Sequence, residues 1–378
     1  MRQAKRCPVL LALVPILAFL AGASPFPLFG ADRGPAAVRS ELAAYVDDVF
    51  ESEPAWGGAL VAQDGEVLFE GSYGWSDYGQ AKRNYGKTVF RIQSLSKTFT
   101  AMSTLMLVER GRLSLEDPVV DYVPELREAE GVTVRHLLQM QSGIPDFITP
   151  EALENIDRFH TPEQLLEYFI DLPLIFEPGS QFDYSNSNYV LLGLIIERIS
   201  DKSYGRFLKR NIFKPLKMKR SVFDADDLSF VGRRAVGYDD VAVDPPTVAE
   251  HYPPSMAYAA GGILSTARDL LRWDQALYGE GVISQEMLEQ AFTRGVSFYG
   301  LGWIIDHVKI QGTRHKLVWH TGGGPGFRSG LVRLVDARVT IVLLFNTTGV
   351  EELEDEDVVR WVAKLAKDVG GIVLSGSD

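Results

Sequence analysis

Only one cysteine, Cys7, occurs among the 378 residues. That excludes an internal disulfide and a cysteine-rich zinc site. No run of lysines and arginines relieves a formal net charge of −12. An acidic surface repels phosphate backbones, so nucleic acid is not expected as a partner. Neither a glycine-rich phosphate loop nor a spaced Cys/His cluster is present, which removes nucleotide and structural-zinc readings. Internal repeats and low-complexity tracts are also missing. What remains is 46% hydrophobic and 23% charged, the composition of an ordinary globular protein long enough for one large domain or two.

The N-terminus reads as an export signal. Arg2, Lys5 and Arg6 form a basic head, Val9 to Leu20 is apolar, and Ala21-Gly22-Ala23 offers a cleavage site. The apolar stretch is shorter than the roughly 20 residues of a membrane span. Cleavage after Ala23 would remove Cys7, so an oxidising compartment would find no thiol. The chain is therefore expected to be periplasmic or secreted, without a stable membrane span. An uncleaved N-terminal anchor is the rival reading.

Residues 24–36, rich in Pro, Gly and Ala, read as a linker. Helical spacing follows over Ala37 to Phe50, then a hairpin of Gly58 to Ala62 and Glu66 to Glu70 around Asp64-Gly65. Leu95, Phe99, Met102 and Met106 make one apolar stripe. Thr161-Pro162-Glu163-Gln164 is a capping box, and Tyr189 to Ile199 is apolar on nearly all faces. Strand character returns at Gly302 to Ile305, Lys316 to His320, Gly330 to Val335 and Val339 to Phe345, followed by a helix over Asp357 to Val369. The expected fold is α/β (α+β). An antiparallel sheet from the N- and C-terminal segments is flanked by helices and carries an inserted all-helical domain. The sheet part would take 37–93 and 257–370, the helical part 94–256, and 371–378 a tail.

Three short signatures carry the chemistry. Ser94 and Lys97 lie one helical turn apart, so both side chains leave nearly the same face. A serine hydroxyl is a poor nucleophile until a neighbour accepts its proton. A lysine does that only where burial lowers its pKa, so the reading requires Lys97 to be desolvated. The plain alternative is a capping serine beside a solvated lysine. Tyr184-Ser185-Asn186 places a second possible base and an amide before the apolar helix; alternatively Ser185, Asn186 or Ser187 merely caps that helix. His320-Thr321-Gly322-Gly323-Gly324 ends a strand. Its glycines admit close approach of a ligand, and a strand-edge N–H there can share an oxyanion with the N–H of Ser94. His320 is expected to be partly charged near neutral pH and to attract a substrate carboxylate. Arg328 is read as a surface residue rather than a carboxylate contact. Trp303, Trp319 and Tyr299 line a pocket or pack the core, and His136 and His315 show no partner at ligand spacing.

With these motifs in this order, the chain resembles the β-lactamase and penicillin-binding protein superfamily of serine hydrolases, in its class C-like branch. That branch includes β-lactamases, D-alanyl peptidases, D-aminopeptidases and carboxylesterases. The likeness covers about residues 37–365 and includes Leu137-Leu138-Gln139-Met140-Gln141-Ser142-Gly143-Ile144-Pro145. It implies that Ser94 forms the acyl-enzyme, Lys97 and Tyr184 share proton transfer, and Asn186 orients. His320, Thr321 and Gly322 would line the substrate pocket, and the N–H groups of Ser94 and Gly323 would form the oxyanion hole. No metal or cofactor is implied; the partner is a small-molecule or peptide substrate. One departure is that the third motif opens with His320, where β-lactamases of this branch usually have Lys. That favours a peptidase, amidase or esterase over a β-lactamase or D,D-carboxypeptidase. Glu151 and Asn155 precede the Tyr184 motif, the wrong order for the class A deacylating glutamate. The alternative of another class is a non-catalytic binding or assembly protein on the same fold.

Overall fold

The computed structural model describes residues 34–51, 55–224, 232–250, 252–279, 281–348 and 355–376. The expected signal over 1–23 and nearly all of the linker lie outside these residues. The principal helices are α1 (Pro35–Glu51), α2 (Ser96–Glu109), α3 (Val134–Leu138), α4 (Asn186–Ser200), α5 (Ala267–Ala276) and α6 (Asp355–Leu374). The main sheet joins β1 (Gly57–Gln63) and β2 (Glu66–Tyr73) to β3 (Ile304–Ile310), β4 (Thr313–Gly324), β5 (Phe327–Leu334) and β6 (Val339–Phe345). Its order is β3-β4-β5-β6-β1-β2, antiparallel throughout. Both ends of the chain thus build one sheet, as the alternating patterns at the two ends require.

Every residue of β5 and β6 is buried, which explains why Val-Thr-Ile-Val-Leu-Leu-Phe reads as a nearly continuous apolar run. Successive side chains take opposite faces. Phe345 stacks on Phe50 of α1 with ring centroids 4.9 Å apart, and Leu334 is the neighbour that a side chain at Gly370 of α6 would meet. The other face carries Arg333 and Thr340, which hold Asp274 of α5, and Ser329, whose hydroxyl donates to the carbonyl of Ile92. Terminal helices therefore cover one face; α5 and the segment bearing Ser94 cover the other. Removing a ring such as Phe345 would cost about 3–5 kcal/mol.

The insert is mainly helical but not wholly so. Phe90–Arg91 and Val222–Phe223 pair with Ile263–Ser265 as a small second sheet, and Tyr238–Asp240 pairs with Thr247–Val248. Strands of two or three residues are too short for periodicity to reveal. α1 begins at Pro35, inside the expected linker, and α6 runs to Leu374, inside the expected tail. α2 is buried on nearly every side, not along one stripe. α4 is likewise buried from Ser187 to Ile196. The Thr161 capping box forms as read. Among the described residues no helix is long and apolar enough to cross a membrane.

Candidate active site

Ser94 sits in a single 3-10 turn, Gln93–Leu95, that feeds directly into α2. Gln93 before it has φ +50°, a left-handed conformation that costs a non-glycine residue of order 1–3 kcal/mol. Gln93 is held there by burial and by the Tyr252 hydroxyl, which donates to its Oε1 at 2.8 Å. Ser94 itself is partly exposed at the start of α2.

Lys97 follows one turn later and is 0% exposed. Its Nζ lies 3.0 Å from Ser94 Oγ, 2.8 Å from Asn186 Oδ1 and 2.9 Å from the carbonyl oxygen of Ala260. The aromatic rings of Tyr184 and Tyr189 stand 5.0 and 5.7 Å away. Burial pulls the amine down to about 7, against an opposing pull from the Asp146 carboxylate. The desolvation that the motif demanded is therefore present, and the solvated-lysine alternative is overturned. As an ammonium, Nζ gives three hydrogens to three acceptors. As a free amine it has two hydrogens and a lone pair. The Ala260 carbonyl can only accept, so one hydrogen stays there; whichever contact loses its hydrogen meets the lone pair.

Asn186 opens α4, yet the cap does not come from its own segment. Ser185 makes no side-chain cap bond. Instead Asp146 Oδ2 accepts from the Asn186 backbone N–H at 3.0 Å and from its Nδ2 at 2.8 Å. Ser187 Oγ donates back to the Pro145 carbonyl, and Ser142 Oγ to Asn188 Oδ1. The Gly143-Ile144-Pro145-Asp146 loop is thereby stitched to the start of α4. Tyr184, 8% exposed, lies in the extended segment just before it.

β4 supplies the opposite wall. β3 pairs with it only as far as Trp319, opposite Ile304, whereas β5 pairs with it through Gly324. The stretch His320 to Gly324 consequently overhangs β3 and presents an open edge. A Cβ at Gly322 would fall 2.2 Å from the Ile92 carbonyl oxygen and 2.9 Å from the Ser94 nitrogen. Only glycine lets the strand press against the turn that carries Ser94. Thr321 and Gly323 flank this contact, both partly exposed.

His320 differs from expectation. Its ring is 0% exposed. Burial, and then the nearby Lys97, push it down to about 3, so it is neutral at physiological pH. Nδ1 is 2.6 Å from the Thr321 carbonyl, which can only accept, so this nitrogen carries the proton; Nε2 then accepts from the Tyr299 hydroxyl at 2.9 Å. The partial charge expected for His320 is corrected: a ring enclosed in this way has no water to stabilise the imidazolium. Arg328 is corrected too. It is 7% exposed, on the β5 face shared with Phe345, and donates to the carbonyls of Gly324 and Phe327. Trp303, Trp319 and Tyr299 are core residues. His315 pairs with Asp336 and His136 completes a helix cap at Thr133. A cavity of about 630 Å³ lined by Arg91, Asp224, Arg234 and Phe327 lies beside this cluster and includes none of Ser94, Lys97 or Tyr184. Among the described residues no group of three His, Cys, Asp or Glu gathers as if around a metal.

Gln93, Asp146 and the Ala260 carbonyl carry no signal in the sequence that assigns them to this cluster, and Tyr299 reads only as a pocket-lining or core residue. Asp146 stands one residue beyond the Leu137–Pro145 string, the only signal that pointed near it.

A sheet built from both chain ends, a largely helical insert and a buried Ser-Lys pair where the two meet define the β-lactamase/transpeptidase-like fold. The Beta-lactamase family pattern matches residues 46–364. Penicillin-binding protein 4* of Bacillus subtilis (strain 168) is 31% identical over 88% of this chain and 76% of its own length. The chain spans less of two other relatives: 62% of the putative penicillin-binding protein PbpX of the same organism and 58% of Protein flp of Staphylococcus aureus (strain MW2). Among solved structures, the octameric penicillin-binding protein homologue from Pyrococcus abyssi superposes with a TM-score of 0.74 at 28% identity, covering 88% of this chain and 77% of that one. D-amino acid amidase from Ochrobactrum anthropi SV3, complexed with D-phenylalanine, gives 0.74 at 25% identity, covering 90% and 98%. The chain belongs to the β-lactamase family, within the β-lactamase-related serine hydrolases.

Proposed function

We propose that this protein is an exported serine hydrolase that cleaves amide or ester bonds through an acyl-enzyme on Ser94. The observation that carries the reading is a fully buried Lys97 amine, 3.0 Å from Ser94 Oγ and held near neutrality in its titration. Ser94 Oγ attacks the substrate carbonyl while its proton passes to Lys97 Nζ. The oxyanion is received by the N–H groups of Ser94 and Gly323 on the overhanging edge. Losing one such donor costs about 3–4 kcal/mol. Tyr184, with its ring beside the same amine, returns a proton to the leaving group, and water completes the cycle by the reverse route. Asn186 fixes the amine, and Thr321 and Gly322 line the substrate's path.

Peptidase, amidase or esterase activity is favoured over β-lactamase activity, because the third motif offers a neutral ring instead of a permanent cation. D-configured amides deserve first place in a substrate panel, since a D-amino acid amidase is among the structural relatives. Treatment with a fluorophosphonate should add one label to Ser94, read by intact mass and peptide mapping. No label, together with no hydrolysis of esters or D-amino acid amides, would refute the reading.

A further inference from the structure

We infer that Asp146 is the positioning residue that aims the lone pair of Lys97 at Ser94. The inference rests on the reading of Lys97 as the proton acceptor. A carboxylate can only accept hydrogen bonds, and Asp146 Oδ2 takes the Nδ2 hydrogen of Asn186. That leaves Asn186 no choice: its Oδ1, an obligate acceptor, faces Lys97 Nζ at 2.8 Å. The Ala260 carbonyl is the other obligate acceptor. When Lys97 is a free amine its two hydrogens are thus committed to Asn186 and Ala260, and the lone pair is left pointing at the Ser94 hydroxyl. An Asn186 amide free to rotate could offer its NH₂ instead and draw the lone pair away from serine.

The loop that carries Asp146 is built for this fixity. Asp146 Oδ1 accepts from the Ile148 N–H, while the Ser142–Asn188 and Ser187–Pro145 bonds lock the loop to α4 on either side. The same carboxylate opposes the burial of Lys97 through space. Other titratable groups face the pair. Tyr184 and Tyr189 flank Lys97, and His320 approaches it from β4 in neutral form. Asp183 lies close enough to Asp146 for their charges to interact, its carboxyl raised by burial and then by Asp146.

The test reads Lys97 directly. The full chain is labelled with 13Cε-lysine and titrated by NMR, the Lys97 signal being identified by its loss in Lys97→Arg. Asp146→Asn should move the Lys97 midpoint about one pH unit lower. The pH limb of Ser94 labelling by a fluorophosphonate should move with it, and the plateau labelling rate should fall about tenfold. Asp183→Asn should displace the midpoint less. An unmoved Lys97 midpoint in Asp146→Asn, or an equal displacement in Asp183→Asn, overturns the inference. If Asp146→Asn does not fold, Asp146→Glu replaces it. Retained charge with a displaced amide should then keep the midpoint and lower the plateau, and an unchanged plateau overturns the inference. Absence of labelling in the unaltered protein would refute the hydrolase reading instead, while the lysine titration still decides the role of Asp146.

Discussion

Two fully buried cations sit on the same side of the main sheet, and they are treated in opposite ways. Arg333 of β5 meets a carboxylate head-on: Nε lies 2.5 Å from Asp274 Oδ1, and Asp274 also accepts from Thr340 and Gln275. The rings of Tyr278, Phe292 and Trp303 enclose the guanidinium. Lys97 meets only neutral oxygens, with its nearest carboxylate, Asp146, set back behind an amide. The first arrangement pairs opposite charges directly and fastens α5 to the sheet. The second withholds most of the compensation, so that the proton on the amine is easily given up. A direct carboxylate partner would have held Lys97 as an ammonium, unfit for the proposed role of base.

The widest divergence between the two sites should appear on removing their functional groups. Ser94→Ala and Lys97→Met should each lower turnover by about four orders of magnitude or more, measured as kcat/KM on the best substrate found. Asp274→Ala should leave the specific activity of folded protein intact yet cost about 3–5 kcal/mol in urea unfolding, because it strands a buried guanidinium. Loss of activity without loss of stability there would refute the structural assignment.

Lys97→Met carries a second signature with a defined sign. Burial pulls the folded amine down to about 7, well below the 10.5 of an ordinary lysine. Below pH 7 both states bind the proton, and folding bears the whole cost of a buried charge. Between 7 and 10.5 the unfolded state binds more protons, so stability rises with pH. Lys97→Met should therefore unfold at higher urea at pH 6, by on the order of 2–4 kcal/mol, with a flatter stability profile from pH 7 to 10.5. The corresponding activity limb of the unaltered protein should rise through about pH 7. A limb near 10 would mean that the amine is solvated.

Tyr184→Phe should cost about a hundredfold or more in kcat while leaving Ser94 labelling by a fluorophosphonate slower but detectable. His320→Ala should have the smallest effect, about tenfold or less in kcat/KM, and equal for substrates with and without a carboxylate because the ring carries no charge. A selective loss on carboxylate-bearing substrates would restore the charged-histidine expectation.

Much of this architecture is legible in the chain because its signals are local. The Ser94–Lys97 spacing, the Tyr184–Asn186 group and the glycine run after His320 each fit within a few residues, and the strands at both ends alternate or run apolar over enough length to count. The missed features depend on residues distant in sequence. Asp146 looks like any loop aspartate until α4 is brought over it. The Ala260 carbonyl has no side-chain signature at all. Gln93 betrays nothing of its left-handed backbone, and the neutrality of His320 follows from burial beside Tyr299 and from the charge of Lys97, residues that no short window around position 320 contains. Arg328 was misjudged for the same reason: arginines favour the surface on average, and only the packing of β5 overrides that.

The close seating of Gly322 against Ile92 and Ser94 has a consequence for how the molecule fails. Strand and serine turn leave no room for even one added methyl group between them, so a shift of either displaces the other. Heat inactivation should then track the melting of the β-structure, with no window in which a native-looking sheet carries a dead serine.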